Sequence, residues 1–279
     1  MSAAAYLKVS WPRRNGNHVM TRKCAICNQK GGVGKTATTL GLASAISNAG
    51  GHVLIVDVDP QGNATNGVGV TITDDMLTTY DLMSRTASGT AIDAVVATPW
   101  DGVDLIPADQ ALANIESDGA NDLIFRLDIA FEGLDLSAYD AVLFDCPPSL
   151  GKLLFAVFCA VDGVIAVTEP TIDSVQGVTK LFETVENVQR RPNPNLEIDK
   201  IVLSRQRGTG EHRFRESELR EVYGDLVART TIPEYATRQD AHSARTPIHK
   251  FTGGKSLSLQ LAYTDLLSEL PIKTAGATV

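Results

Sequence analysis

The sequence CAICNQKGGVGKT, from Cys24 to Thr36, decides the fold class of this chain of 279 residues. A short apolar run, Cys24 to Cys27, leads into a glycine-rich turn, and a helical pattern follows over 35–49. Glycines let the backbone N–H groups of such a turn curl around phosphate oxygens, and the helix directs its positive end at the same oxygens. The order of strand, glycine turn and helix therefore predicts a loop that binds phosphate groups.

Outside this loop, short apolar runs alternate with longer helical patterns. Strands are predicted at 23–28, 53–58, 103–106, 140–145, 163–168, 198–204 and 229–232. Helices are predicted at 35–49, 78–84, 90–97, 109–117, 120–132, 151–160, 173–190, 214–227, 237–245 and 255–269. This alternation predicts an α/β fold, a mostly parallel, twisted sheet with helices on both faces. We predict one domain over 21–279, preceded by a flexible tail over 1–20 that has no hydrophobic period.

Composition limits the compartment and the partners. No apolar run approaches the roughly 18 to 20 residues of a membrane-spanning helix, and the first twenty residues do not read as a signal peptide, so we expect a cytoplasmic protein. The net charge is −8, yet the segment from Lys200 to Lys255 holds eleven Lys or Arg against seven Asp or Glu. That segment carries +4 and the remainder −12, which predicts a local basic face on an acidic protein.

The loop ends in Lys35 and Thr36, which predicts binding of ATP and magnesium. In such a loop the lysine neutralises the β and γ phosphates and the threonine hydroxyl ligates Mg²⁺. A second cation of the same loop, Lys30, cannot easily approach the same phosphates. We therefore expect its side chain to project outward, toward nucleotide held by another subunit. The residues of the predicted ATP site in this loop are Lys30, Gly31, Gly32, Val33, Gly34, Lys35, Thr36 and Ala37.

Two further strands end in carboxylates, at the edge where a parallel sheet binds ligands. Asp57 and Asp59 follow the apolar run 53–56, and Asp145 follows the run 141–144. Asp145 has the Walker B arrangement, whose carboxylate holds magnesium, usually through water. Asp59 is a candidate to position the attacking water and Asp57 a candidate for the magnesium site or its support. The residues alone leave the division of roles between these two open.

These motifs together resemble the ParA family of DNA-partition ATPases and its MinD-like relatives. KGGVGKT at 30–36 is similar to the family's deviant Walker A. DVDPQGNAT at 57–65, DCPPSLG at 145–151 and DGVIAVTEPT at 162–171 follow in the family's order. The resemblance covers about Lys23 to Leu270 and is strongest in the first two thirds.

The resemblance implies an ATPase that is weak until a partner stimulates it. ATP closes two subunits face to face, with Lys30 reaching the partner's nucleotide and Asp59 as the water-positioning aspartate that hydrolysis requires. The homodimer binds double-stranded DNA without sequence preference on the nucleoid. A ParB-type centromere-binding protein then stimulates hydrolysis and release, which moves plasmid or chromosome cargo. Pro233 resembles a residue of the loop that packs on the adenine.

The basic segment lies where the family carries its DNA-contacting residues. Arg238 occupies the place of a family arginine that touches DNA. The alternative for several of these arginines is a solvated helix face, paired with Glu216, Glu218 and Glu221. The candidates for contacts with DNA phosphates are Arg205, Arg207, Arg213, Arg238 and Arg245.

Three related functions are alternatives. A MinD-like membrane ATPase would end in a basic amphipathic helix. The residues 256–270 carry only Asp265 and Glu269 as charges, so we predict a packing helix there. A nitrogenase-reductase-like carrier needs cluster cysteines, whereas all four cysteines of this chain are predicted to be buried, with the two of the first strand on opposite sides of the sheet. The third alternative is an ATPase that positions some other cargo, and the sequence does not exclude it.

Overall fold

A sheet of eight strands forms the centre of the computed structural model, which describes residues 21–272. The strand order is β3-β4-β2-β5-β1-β6-β7-β8, and every neighbouring pair is parallel except β3 with β4. The predicted α/β class is therefore confirmed. The predicted tail over 1–20 lies outside the described residues. The strands are Arg22–Cys27 (β1), Val53–Asp57 (β2), Val96–Ala97 (β3), Val103–Ile106 (β4), Ala141–Asp145 (β5), Gly163–Thr168 (β6), Glu197–Gln206 (β7) and Val227–Pro233 (β8).

Helices connect the strands and cover both faces of the sheet. One apolar cluster includes Phe158 and Leu181 from helices on one face, and a second includes Leu42 and Tyr263 from helices on the other. In the described part of the chain the α-helices are Lys35–Asn48 (α1), Asn63–Gly67 (α2), Thr79–Ser84 (α3), Arg126–Phe131 (α4), Lys152–Ala160 (α5), Ser174–Gln189 (α6), Gly210–Tyr223 (α7), Thr237–Ser243 (α8) and Ser256–Ser268 (α9). Short 3₁₀ helices occupy Thr90–Ala94, Gln110–Ser117, Leu123–Phe125 and Gly224–Leu226.

The cysteines follow the two faces as predicted. Successive side chains of a strand point to opposite faces. Cys27 of β1 accordingly lies in the cluster with α5 and α6, and Cys24 lies in the cluster with α1 and α9. All four cysteines of the sequence are buried and free of disulfide bonds. Burial raises the pKa of each thiol, which keeps the sulfur protonated and unreactive.

Several elements differ from the prediction. The segment 90–97 is a 3₁₀ helix followed by β3, an edge strand, and 109–117 is also largely 3₁₀ rather than α-helical. Helix α7 begins at Gly210 rather than near 214, because the hydroxyl of Thr209 accepts the N–H of His212 and caps the helix. Helix α2 was not predicted, because its five residues are too few to show a helical period.

Helix α9 is a packing helix, as predicted. Leu259, Tyr263 and Leu266 are buried, and α9 contacts α1 and β8. Gly41 of α1 makes the close approach possible, since a Cβ at that position would clash with the ring of Tyr263. Within residues 21–272, no helix combines the length and the apolar character needed to cross a bilayer.

The topology gathers the predicted site at one edge of the sheet. Strands β1, β2 and β5 are neighbours and run in the same direction, so their carboxyl ends meet. Asp57 and Asp145 are paired in register at the ends of β2 and β5. The phosphate loop follows β1 between these strands and α1. Ligands of open parallel sheets bind at such an edge.

Candidate functional site

The phosphate loop, residues 28–34, is shaped from both of its sides. Asn28 donates its amide to Val167 O at 2.7 Å and accepts the N–H of Lys30 at 3.0 Å. Gly34 has φ 98°, a left-handed conformation, and a Cβ there would clash with the hydroxyl of Ser204. The motif predicted glycine at this position, but the contribution of Asn28 and Ser204 was missed.

Helix α1 begins directly after the loop and leaves its first N–H groups available. Gly34 occupies the N-cap position and provides no side chain to cap them. The side chain of Lys35 is buried, and burial lowers its pKa while the nearby charge of Asp145 opposes that shift. Free N–H groups at a helix N-terminus and a buried lysine form a site for an anion such as a nucleotide phosphate.

Thr36 and Asp145, the predicted magnesium residues, are in contact. The hydroxyl of Thr36 donates to Asp145 Oδ2 at 2.7 Å, and the hydroxyl of Thr39 donates to Asp145 Oδ1 at 2.8 Å. Burial raises the pKa of Asp145, and the two hydroxyl groups oppose this shift. Thr39 was missed, although its spacing of three residues from Thr36 places both hydroxyls on one side of α1.

The oxygen donors fit Mg²⁺. Among the described residues, no group of three or more His, Cys, Asp and Glu side chains is placed to hold a metal. Mg²⁺ commonly binds through one or two carboxylates, waters and the phosphates of a substrate instead of a cage made only of protein. The buried carboxylates of Asp57 and Asp145 lie side by side, and a cation at this edge would reduce their repulsion.

Asp57 has its oxygens engaged within the chain. Its Oδ2 accepts the backbone N–H and the hydroxyl of Thr65, both at 2.8 Å, and Oδ1 accepts the N–H of Asp59 at 3.2 Å. Burial and the charge of Asp145 raise its pKa. These contacts favour a supporting role, in which Asp57 holds the turn that carries Asp59; direct binding of magnesium by Asp57 stays a prediction.

Asp59 faces a cavity of about 600 Å³ that the phosphate loop lines, here called the phosphate-loop cavity. Its side chain accepts the N–H of Gln61 through Oδ1 at 3.0 Å, and Oδ2 has no hydrogen-bond donor among the described residues. The cavity is lined by Gly31, Gly32, Gly34, Lys35, Thr36, Ala37, Asp59, Asn63, Pro148, Arg238, Gln239, His242 and Ser243. A carboxylate oxygen with a free lone pair beside a phosphate site can orient a water molecule.

Lys30 turns away from this cavity. Its ammonium lies 3.4 Å from the hydroxyl of Thr171 and 3.9 Å from the carboxylate of Asp173, in the loop after β6. The side chain is 48% exposed and does not line the phosphate-loop cavity. Its carbonyl, by contrast, accepts a hydrogen bond of 3.4 Å from Lys35. Lys30 is therefore part of the loop by its backbone only, and its ammonium is free to leave a weak, exposed ion pair.

The half-buried side chain of Arg205 contacts the phosphate loop. Its guanidinium donates to Gly32 O at 2.8 Å and forms ion pairs with Glu234 at 2.6 Å and Glu169 at 3.6 Å. The backbone of Arg205 has φ 54°, which is uncommon for a residue other than glycine. Arg205 thus braces the loop against the ends of β6 and β8. A contact of Arg205 with DNA phosphates stays a prediction.

Glu234 links Arg205 to Arg207. The hydrogen bond from Arg207, followed by that from Arg205, lowers the pKa of Glu234 to about 2 from its ordinary 4.5. Because the pKa in the folded state is the lower one, this cluster stabilises the fold above about pH 4.5, and the stabilisation is lost as the pH falls toward 2. The bracing of the loop is therefore intact at neutral pH.

Replacing Arg205 with alanine is expected to weaken ATP binding by about tenfold, because a charge-assisted hydrogen bond to Gly32 O is lost. Titration with a fluorescent ATP analogue, without DNA, measures this change. Arg207→Ala is the matched control, since Arg207 shares Glu234 but does not touch the loop. Unchanged ATP affinity in Arg205→Ala would show that the brace has no part in nucleotide binding.

The other residues predicted to bind DNA or adenine lie on several different elements. Arg213 donates to Gly208 O, and the carbonyl of Arg245 accepts the indole N–H of Trp100. Arg207, Arg213 and Arg245 are exposed, whereas Arg238 is half-buried and lines the phosphate-loop cavity. Pro233 ends β8 and does not line that cavity. Contacts of these residues with DNA or adenine stay predictions.

Other arginines of the basic segment lie on a helix face and pair with glutamates, which is the alternative that the sequence left open. Arg215 pairs with Glu211 and Glu218 along α7, and Arg220 pairs with Glu216. These are ion pairs between residues three or four apart on a helix surface. Their charges are neutralised locally and contribute little to a basic face.

Comparisons with known proteins find similar chains over most of the sequence. A profile of the AAA domain family matches residues 21–198. The chromosome partitioning protein ParA of Caulobacter vibrioides is 36% identical over 233 residues, which cover 81% of this chain and 86% of that protein. The chromosome-partitioning ATPase Soj of Thermus thermophilus is 36% identical over 225 residues, or 80% of this chain and 85% of that protein. A structure of cobyrinic acid a,c-diamide synthase from Mycobacterium smegmatis with ADP and magnesium is 27% identical, with a TM-score of 0.73 over 91% of this chain and 100% of that one.

Proposed function

The chain belongs to the ParA family of partition ATPases, and from this premise we propose that ATP closes two copies of it into a dimer that binds DNA without sequence preference. The protein hydrolyses ATP to ADP and phosphate and uses ATP with Mg²⁺. The observation that carries the proposal is the position of Lys30. Its backbone belongs to the phosphate loop while its ammonium points out of its own cavity.

ATP binding is assigned to the phosphate loop and the start of α1. The N–H groups of Gly31 to Gly34 and of the first turn of α1 hold the phosphates, and Lys35 neutralises them. Thr36 and Asp145 would hold Mg²⁺, which would supply charge neutralisation to the phosphates. The contact between Thr36 and Asp145 supports this assignment, since it places both oxygen donors beside the loop.

Hydrolysis is assigned to two side chains, Asp59, which acts in the site of its own chain, and Lys30, which acts in the site of the partner subunit. Asp59 orients the attacking water with the oxygen that has no protein donor, and Asp57 holds the turn in which Asp59 lies. Lys30 leaves Asp173 and reaches the nucleotide of the partner subunit, where its charge stabilises the transferred phosphate. The site of one chain is thus complete only in the dimer.

DNA binding is assigned to the basic segment, mainly to its exposed arginines. Arg207, Arg213 and Arg245 are exposed, and phosphate contacts of this kind carry no sequence information. We propose that the partner that stimulates hydrolysis is a ParB-type centromere-binding protein and that the ATP-bound dimer is associated with the nucleoid in the cytoplasm. We also propose that residues 21–279 act as one domain, as the continuous sheet suggests.

A gel shift with non-specific duplex DNA tests this function. ATP is expected to produce a shift that ADP does not, and three exposed arginines per chain give about six phosphate contacts per dimer. Such a complex loses about 10³-fold or more in affinity between 50 and 200 mM salt. Lys35→Ala is the control that removes ATP binding. If the ATP-bound protein shifted no DNA at low salt, the partition function would fail, and a different cargo-positioning ATPase would be the remaining function.

A further inference from the structure

Arg238 lines the phosphate-loop cavity from α8. Gln239, His242 and Ser243 of the same helix line it too. These four residues occupy positions i, i+1, i+4 and i+5, so they form one face over two successive turns. Helix α8 therefore presents this face to the space beside the phosphate loop.

The charge of Arg238 has no partner in the part of the chain that the structure describes. A buried or half-buried cation normally pairs with a carboxylate, because an unpaired buried charge is costly. Within residues 21–272, Arg238 forms neither an ion pair nor a side-chain hydrogen bond. Its guanidinium is thus available to a ligand. The other half-buried arginines of this range all pair with a carboxylate: Arg22, Arg126, Arg205, Arg215 and Arg220.

The surroundings of Arg238 are short of negative charge. Burial and the charge of Arg238 lower the pKa of His242, which keeps this imidazole neutral at pH 7. Arg238 also lines a small apolar cavity with Tyr263, whose buried hydroxyl has no hydrogen-bond partner among the described residues. Lys35 adds a second cation, and Asp59 is the one carboxylate among the residues that line the phosphate-loop cavity. Two cations and one carboxylate favour an anion in this space.

We propose that Arg238 binds the terminal phosphate of the ATP held by its own chain and so distinguishes ATP from ADP. The inference rests on the proposed function, because it takes ATP as the occupant of the cavity. Asp59 lines the same space, and the water that it orients attacks the terminal phosphate. Arg238 therefore faces that end of the nucleotide and not the adenine. A planar guanidinium suits this position, since it donates to two phosphate oxygens at once.

Helix α8 connects this contact to the C-terminal part of the chain. The hydroxyl of Thr237, the first residue of α8, accepts the N–H of Lys255 at 3.0 Å, directly before α9. Arg245, an exposed candidate for DNA binding, follows two residues after the last residue of α8. Binding of the terminal phosphate by Arg238 thus holds the helix that precedes a DNA-binding candidate.

The experiment compares fluorescent analogues of ATP and ADP in direct binding titrations of the full chain, without DNA. Arg238→Gln keeps the length of the side chain and removes its charge, and Arg238→Ala is the second variant. Arg191→Ala is the control, because Arg191 is exposed and lies away from the cavity lining. Thermal unfolding and circular dichroism confirm that each variant is folded.

Both Arg238 variants are expected to bind the ATP analogue about tenfold more weakly, or about 1.4 kcal/mol, and the ADP analogue with nearly unchanged affinity. Wild-type affinity for both analogues, or equal losses for both, would overturn the inference. The gel shift with duplex DNA is repeated with both Arg238 variants. Loss of the ATP-dependent shift, with intact discrimination between ATP and ADP in the titrations, would overturn the inference too and favour a DNA contact for Arg238. The Lys35→Ala variant distinguishes a failure of this inference from a failure of the proposed function. If Lys35→Ala bound ATP with wild-type affinity, the assigned nucleotide site would be wrong, independently of the result for Arg238.

Discussion

Replacing Asp59 with alanine is expected to lower the rate of ATP hydrolysis by about 10²- to 10⁴-fold, the range for a side chain that activates the attacking group. ATP binding is expected to persist, because Asp59 lines the phosphate-loop cavity but lies outside the loop and the first turn of α1. Turnover is measured as phosphate released under saturating ATP, and binding is measured with a fluorescent ATP analogue.

The change at Asp59 should leave the ATP-bound dimer populated. Without hydrolysis, we expect ATP-dependent retention on DNA to be as strong as in the wild type or longer-lived. Asp59→Asn is the conservative variant, since it keeps an oxygen for the N–H of Gln61 and removes the charge. Asp74→Ala, at an exposed position, is the control. A turnover in Asp59→Ala within a few-fold of the wild type would exclude Asp59 as the residue that orients water.

Replacing Lys30 with alanine is expected to lower turnover by about 10³-fold, the lower end of the effect of a cation supplied from a second molecule to a transferred phosphate. ATP should still bind, because only the backbone of Lys30 takes part in its own loop. In the wild type the turnover per chain rises with protein concentration as dimers form, whereas in Lys30→Ala it should stay flat. Lys180→Ala, on the exposed side of α6, is the control.

Mixing the two inactive variants tests whether Lys30 acts across the dimer. A heterodimer of Lys30→Ala and Asp59→Ala has one site with an intact Asp59 that receives Lys30 from its partner. Random pairing therefore predicts recovery of about a quarter of wild-type turnover for a symmetric dimer. If Lys30 served the nucleotide of its own chain, each site would lack one residue. The mixture would then stay inactive, and the cross-subunit role would be wrong.

The sequence alone predicted the class of the fold and the centre of the nucleotide site. Glycine, lysine and threonine in the phosphate loop act through local backbone geometry, so their motif is sufficient to place them. Asp145 was also predictable, because an apolar strand that ends in aspartate must bring its carboxylate to the same edge as the other parallel strands. The contact between Thr36 and Asp145 follows from these two local patterns.

Only the tertiary structure decided where the arginines lie and what they contact. Arg205 and Arg238 belong to the same basic segment as Arg213, yet Arg205 reaches Gly32, Arg238 lines the phosphate-loop cavity, and Arg213 is exposed. The position of a long side chain depends on the charges and carbonyl groups that other elements bring near it. For Arg205 those groups are Gly32, Glu169 and Glu234, which lie far apart along the chain. A linear pattern records that an arginine is present, whereas its partners are determined by the packing of strands and helices around it.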